Sequence, residues 1–306
     1  MYTLTDLIYN FYLNDTSDIM INKLYQKDKE LFLYNIKQHF HLEYQREVLT
    51  RLGVWEEPNY TQEDINNIFK DYSLLFNENV NNGYLISRGI TENQIHKYKL
   101  GSTHVLIDME IMEIFHSKML KKHNNEIYWN IVDYFYTITK SVKDLYNDIY
   151  FSTFPTFNDG NCSGIVLRSH GYIESDNKLG RNVSKFFDTH SPSYIFNLET
   201  LQKHDELILV EGVFDVLTME RFGYDNVIST SAIRLSKYHW EQLKGKKLHI
   251  LYDGDKGGLY GLKHIRERYG EENIKFDILT TDYKDIDELG IKEPDNFKEI
   301  INKIIF

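Results

Sequence analysis

From Leu207 onward the apolar positions come in short runs, each followed by a stretch with helical spacing. LILV precedes GVFDVLTMERFG, VIST precedes SAIRLSKYHWEQLKG, LHILY precedes GGLYGLKHIRERYG, and KFDILT precedes DYKDIDELG. Buried strands alternating with helices predict a parallel sheet with crossover connections. Upstream the pattern differs. Residues 1–75 place Tyr, Leu, Ile and Phe at helical spacing with few breakers, and Gly53 after REVLTRL reads as a helix end with basic residues in its last turn. Residues 76–150 also read mainly helical: one helix ends at Gly89, and Thr91 with Gln94 has capping-box spacing for the next. Beyond about 150, GIVLRSHGYI and SPSYIFN carry the β-branched and aromatic content of strands. Three regions are expected: a helical segment over 1–75, a mixed α+β subdomain over 76–204, and an α/β domain over 205–306 with a short helical carboxyl end.

Composition narrows the class. The 306 residues are 42% hydrophobic and 26% charged, as in a globular protein. No apolar stretch approaches the roughly 18 residues needed to cross a bilayer, so no membrane association is expected. The start, MYTLTDLIYNFYLND, has neither the basic flank nor the cleavage site of a secretory signal. Cys162 is the one cysteine, which excludes an internal disulfide and a Cys-rich zinc module. A cytoplasmic location is expected. The net charge of −11 argues against a protein that coats nucleic acid non-specifically. Residues 163–204 are an exception, with Arg168, Lys178, Arg181, Lys185 and Lys203 against four acids.

Ligands of open parallel sheets bind beyond the carboxyl ends of the strands. After LILV come Glu211 and, four residues on, Asp215. After LHILY come Asp253 and Asp255 around a glycine, and beyond KFDILT come Asp285, Asp287 and Glu288. Each cluster alone suits a turn or a helix start. All three fall on one predicted sheet edge, where converging carboxylates would repel one another and raise their pKa values. A divalent cation removes that cost, and Mg²⁺ (or Mn²⁺) suits oxygen ligands that share it with waters and phosphates. Metal-assisted phosphoryl chemistry is expected.

The pattern VEGVFDVL, LYDGDKGG and KDIDEL resembles the Toprim domain shared by bacterial-type primases, topoisomerases, OLD-type nucleases and recombination mediators. The resemblance implies that Glu211, Asp253 and Asp255 form the catalytic metal centre, with Asp285 and Asp287 as further ligands and Asp215 as a supporting acid. Glu211 serves there as a ligand or as a general base. Upstream, YLISRGITENQIHKYKLG, GIVLRS and SKFFDTHSP are similar to the catalytic core of DnaG-type primases, so residues 76–204 are expected to be the amino-terminal part of that core. VISTSAIRLSKYHWEQL also resembles that family, which often has Gly-Thr where this chain has Ser231-Ala232.

The resemblance implies primer synthesis on a single-stranded DNA template from ribonucleoside triphosphates, with a replicative helicase as a further partner. Arg168 and Lys185 would contact template or nucleotide. Lys256 would touch phosphate, although a Lys at a helix start is equally a surface residue. The chain's size suggests a phage origin and a bacterial host cytoplasm. No zinc is expected: His39 and His41 suit one strand face, but no further ligand lies near. Little chain follows residue 290 to form a helicase-binding domain, which leaves residues 1–75 as the docking surface. Two other readings remain: a Toprim-type nuclease, although no OLD-type P-loop motif is present, and a non-catalytic replisome adaptor.

Overall fold

The computed structural model describes residues 18–39, 42–80, 82–104, 108–129, 132, 151–170, 186–188, 194–270, 272–279 and 282–305. The chain forms two compact units. The first comprises Met1–Asn81, Lys99–Pro155 and Asn161–Pro192. The second comprises Asn82–Tyr98, Thr156–Gly160 and Ser193–Phe306.

Helices α1 (Asp18–Lys27), α2 (Lys29–His39), α3 (Leu42–Arg51) and α4 (Gln62–Glu78) open the first unit, as the helical spacing anticipates. In α4, Thr61 and Asp64 form a capping box, and Ile65, Ile68, Phe69, Tyr72 and Phe76 line the buried face. Helices α5 (Asn82–Ser87) and α6 (Glu92–Lys97) follow. Then come strand β1 (Gly101–Ser102), helix α7 (Met109–Lys122) and strands β2 (Phe151–Asn158), β3 (Asn161–Ser169) and β4 (Phe186–Asp188). The four strands make a sheet in the order β1-β2-β3-β4, with β1–β2 and β3–β4 antiparallel. His39 closes a helix rather than lying on a strand, and His41 is outside the described residues.

The second unit continues through α8 (Thr200–Lys203), β5 (Glu206–Val210), α9 (Val213–Arg221), β6 (Val227–Ser229), α10 (Lys237–Leu243) and β7 (Lys247–Tyr252). It ends with α11 (Lys256–Tyr269), β8 (Ile274–Ile278), α12 (Ile286–Lys292) and α13 (Phe297–Ile305). The strands form the expected parallel sheet in the order β6-β5-β7-β8. Side chains alternate across it. Leu207, Leu209, Leu248, Ile250 and Tyr252 share a core with Leu262 and Ile265 of α11 and Leu243 of α10. Among the described residues no helix is long and apolar enough to cross a membrane.

The compact units cut across the three regions expected from composition. Residues 82–98, placed by sequence in the middle region, cluster with the parallel sheet. Thr91 and Gln94 do form the capping box of α6. Gln94 Nε2 then donates to Leu217 O at 2.6 Å, Arg221 donates to Gly89 O, and Lys97 pairs with Glu220, so α5 and α6 are fastened to α9. Ser193–His204 also joins the second unit: Phe196 N–H donates to Ser229 O at 2.7 Å, extending the sheet beyond β6. Composition changes along a chain track the type of local structure, whereas these fastenings are contacts between distant segments.

Candidate acidic metal centre

The parallel register delivers the acidic residues to one edge. β5 ends at Val210, and Glu211 follows at the strand exit, with Gly212 capping α9. The Gly212 N–H donates to Asp215 Oδ2 at 2.9 Å, which folds Asp215 back over the helix start. In the neighbouring strand, Asp253 follows Tyr252, and its N–H donates to Glu211 Oε1 at 3.1 Å. Asp255 is the N-cap of α11, accepting from Gly258 N at 2.9 Å. Position 258 must be glycine for steric reasons: a Cβ there would lie 2.1 Å from Asp253 O and 2.8 Å from Glu211 Oε1. Beyond β8, Asp285 caps α12 through Glu288 N at 2.8 Å.

These carboxylates feel one another. Burial raises the Glu211 carboxyl to about 7, with Asp215, Asp255 and Asp285 adding repulsion against the Asp253 N–H bond. Burial also raises Asp253 to about 8, reinforced by Glu211, Asp285 and Asp255 and opposed by Lys284. Asp215, 6% exposed, is raised well above the ordinary range by burial first and then by Asp253, Asp285 and Asp287. A cluster of oxygen donors whose charged forms are mutually disfavoured fits a hard divalent cation. Among the described residues no three His, Cys, Asp or Glu groups are arranged to hold a metal ion. One oxygen each of Glu211, Asp255 and Asp285, and both oxygens of Asp215, accept from backbone N–H groups.

Asp287 stands apart from the set. Its carboxylate accepts from Arg88 Nε at 3.0 Å and from Thr218 Oγ1 at 2.9 Å, and also pairs with Arg88 Nη2. Its backbone N–H reaches Asp215 Oδ1 at 3.3 Å. Spacing alone puts Asp285 and Asp287 in one cluster, but only Asp285 caps the helix, and Asp287 faces the α5–α9 side with its charge already matched.

Residues 208–290 match the Toprim-like family. The DNA primase of Lactococcus lactis is 26% identical over 201 residues, covering 63% of this chain and 30% of that protein. DNA primase DnaG of Nanoarchaeum equitans is 32% identical over 93 residues, 30% of this chain and 24% of that protein. Among solved structures, the zinc-binding and RNA polymerase domains of Aquifex aeolicus primase align with a TM-score of 0.58 at 18% identity. That alignment covers 87% of this chain and 68% of that one. A DnaG primase catalytic domain bound to ssDNA aligns with a TM-score of 0.52 at 17% identity, covering 80% of each chain. Residues 208–290 thus carry a Toprim-like domain, and the chain is similar in sequence and fold to DnaG-type primases. It spans less than a third of the length of these two curated relatives.

The cationic residues fall in different places. Lys256 is exposed at the first position of α11, next to Asp255. Arg168 is a buried residue of β3 in the first unit, opposite Phe186 of β4. Lys185 lies outside the described residues. Arg88, Thr218 and Lys284 also bear on the carboxylates, and the acidic pattern in the sequence does not mark them. Arg88 sits inside the quoted YLISRGI stretch, so its signal was present, but only as a local helix motif.

Proposed function

We propose that the chain is a DNA primase, joining ribonucleoside triphosphates into short primers on single-stranded DNA. The observation that carries this reading is the convergence of Glu211, Asp215, Asp253, Asp255 and Asp285 at the strand exits of a primase-type fold. Asp253, Asp255, Glu211 and Asp285 would hold Mg²⁺ or Mn²⁺, which when bound supplies charge neutralisation for the triphosphate and for the in-line displacement. Asp215, tied to the Gly212 and Asp287 N–H groups, supports the site without turning outward. Glu211, raised to about 7, has the proton affinity of a general base for the primer 3′ hydroxyl as well as the charge of a ligand. Asp287 in this reading holds the site's frame rather than the cation.

The same reading assigns template or nucleotide contacts to Arg168, Lys185 and Lys256, a helicase as partner, and the cytoplasm of a phage-infected host as the place of action. The three-part division at residues 75 and 204 is kept as a functional division only, with residues 1–75 as the helicase-docking segment.

Incorporation of labelled nucleotides on single-stranded DNA, with Mg²⁺ or Mn²⁺ and with or without a helicase, tests the proposal. Short products from the wild type that disappear in an Asp253→Ala/Asp255→Ala double variant support it. A shortened template would identify a nuclease, and neither product nor degradation would favour an adaptor.

A further inference from the structure

On α11, the residues at 256, 260, 264 and 268 recur every four positions, each the neighbour of the next in a row that winds about 120° around the helix. They are Lys256, Tyr260, His264 and Arg268. The row begins beside Asp255 and extends about 18 Å along the helix axis. Tyr260 is 48% exposed, and its ring centroid lies 6.5 Å from that of His264. A fifth residue joins from outside the helix: the Arg234 guanidinium carbon is 5.7 Å from the Tyr260 centroid. Its loop can come this near because position 261 lacks a Cβ, which would meet Ile233 O at 2.3 Å. At the far end, Arg268 lies over the Tyr269 ring, which stacks on Trp240 at 4.5 Å.

His264 has its pKa lowered by burial and then by Arg234 and Arg268, with Glu267 opposing, and its Nδ1 is buried without a hydrogen-bond partner. Glu267 is in turn 3.7 Å from Lys263 on a neighbouring row. A row that carries Lys256, Arg268 and an exposed aromatic ring with Arg234 beside it, in a chain of net charge −11, suits a ligand that offers regularly spaced negative charge together with flat apolar faces. Single-stranded nucleic acid has both: phosphates for the arginines and lysine, and bases to stack on Tyr260.

We propose that the Lys256–Tyr260–His264–Arg268 row of α11, with Arg234, is a track that carries single-stranded nucleic acid away from the acidic centre. The track deepens the primase reading and rests on it for its direction. Tyr260 is the stacking platform, Arg234 and Arg268 contact phosphates on either side, and Lys256 contacts the phosphate nearest the carboxylates.

The test is fluorescence anisotropy of labelled oligo(dT) with the full chain in EDTA, across a salt series. Tyr260→Ala and an Arg234→Ala/Arg268→Ala double variant are compared with wild type and with Lys263→Ala on the neighbouring row. Melting curves confirm that each variant is folded. Tyr260→Ala is expected to weaken binding about tenfold. The double variant should lower the slope of log affinity against log salt by about 1.4, and Lys263→Ala should leave both unchanged. Wild-type affinity and slope in the Tyr260 and arginine variants, or no oligo(dT) binding by wild type, would overturn the track. Because binding is read without metal, the outcome is separable from nucleotide incorporation. Loss of binding in the variants with no incorporation by wild type keeps the track and removes the primase reading, and the reverse pair of results removes only the track.

Discussion

Arg88 and Asp287 stand 199 positions apart in the chain, yet Arg88 Nε donates to Asp287 Oδ2 at 3.0 Å. The Asp287 side chain is 3% exposed, and its other oxygen accepts from Thr218. The Arg88 guanidinium carbon also lies 4.4 Å from the centroid of the Phe214 ring. The pair therefore joins α5, α9 and α12, the elements that frame Asp215. Removing Arg88 would leave a carboxylate buried without its cation. Arg88→Ala is expected to lower unfolding free energy by about 3–5 kcal/mol, measured by urea denaturation. Arg88→Ala/Asp287→Ala should cost less than the sum of the two single changes. A loss under about 1 kcal/mol in Arg88→Ala would mean that the pair does not hold the frame.

The acidic centre makes stability depend on pH in a defined direction. Glu211 and Asp253 are raised to about 7 and about 8 from ordinary values of 4.5 and 3.8. A carboxyl with a raised folded pKa contributes stability that is fully present below the unfolded pKa and lost as pH rises through the folded one. Without metal, the thermal midpoint should fall between about pH 4 and pH 8 from this source. Cation binding favours the deprotonated forms, so Mg²⁺ should raise the midpoint more at about pH 8 than at about pH 5. Asp253→Asn should raise the metal-free midpoint at high pH and diminish the Mg²⁺ shift. A Mg²⁺ shift equal at both pH values would contradict a site built from these two groups.

Much of this site is legible in the sequence because it depends on local order. Strand runs fix where Glu211, Asp253 and Asp255 emerge, and parallel pairing of β5, β7 and β8 puts those exits on one edge. Asp285 and Asp287 show where legibility stops. They differ by two positions in an identical acidic context, and what separates them is a cation from residue 88. The affiliation of residues 82–98 was hidden for the same reason: short helices look alike in sequence whichever unit they pack on, and Gln94 and Arg221 make the choice.

Cys162 offers a probe of the first unit. It is fully buried in β3, and burial pushes its thiol up to about 12, with a weak contact to Gly164 O at 3.5 Å. The thiolate is the reactive form, so a buried, protonated sulfur should resist thiol reagents in the native state. Labelling with an aromatic disulfide reagent is expected only as the protein opens, at rates that rise with urea alongside loss of structure. Stoichiometric labelling of the folded chain within seconds would show that β3 is accessible.

Ser231 explains a departure from the primase pattern in backbone terms. DnaG-type sequences often have glycine here, and Ser231 has φ of +52°, in the left-handed region where a Cβ is disfavoured. The strain is tolerated because the turn is tied down: Ser231 N–H donates to Ser229 Oγ at 2.9 Å, and Ser229 Oγ–H donates to Glu211 O at 2.7 Å. The loop after β6 is thereby linked to the backbone of Glu211. Ser231→Gly removes the steric cost and keeps the N–H, while adding freedom to the unfolded chain. The two effects oppose, and the steric one, of order 1–2 kcal/mol, exceeds the entropic one of about 0.4–1 kcal/mol. Ser231→Gly should therefore stabilise the protein by about 0.5–1 kcal/mol in urea unfolding. Ser229→Ala, which removes both the acceptor for Ser231 N–H and the donor to Glu211 O, should destabilise it by about 1 kcal/mol. A destabilised Ser231→Gly would mean that the serine side chain makes a contribution larger than the strain it imposes.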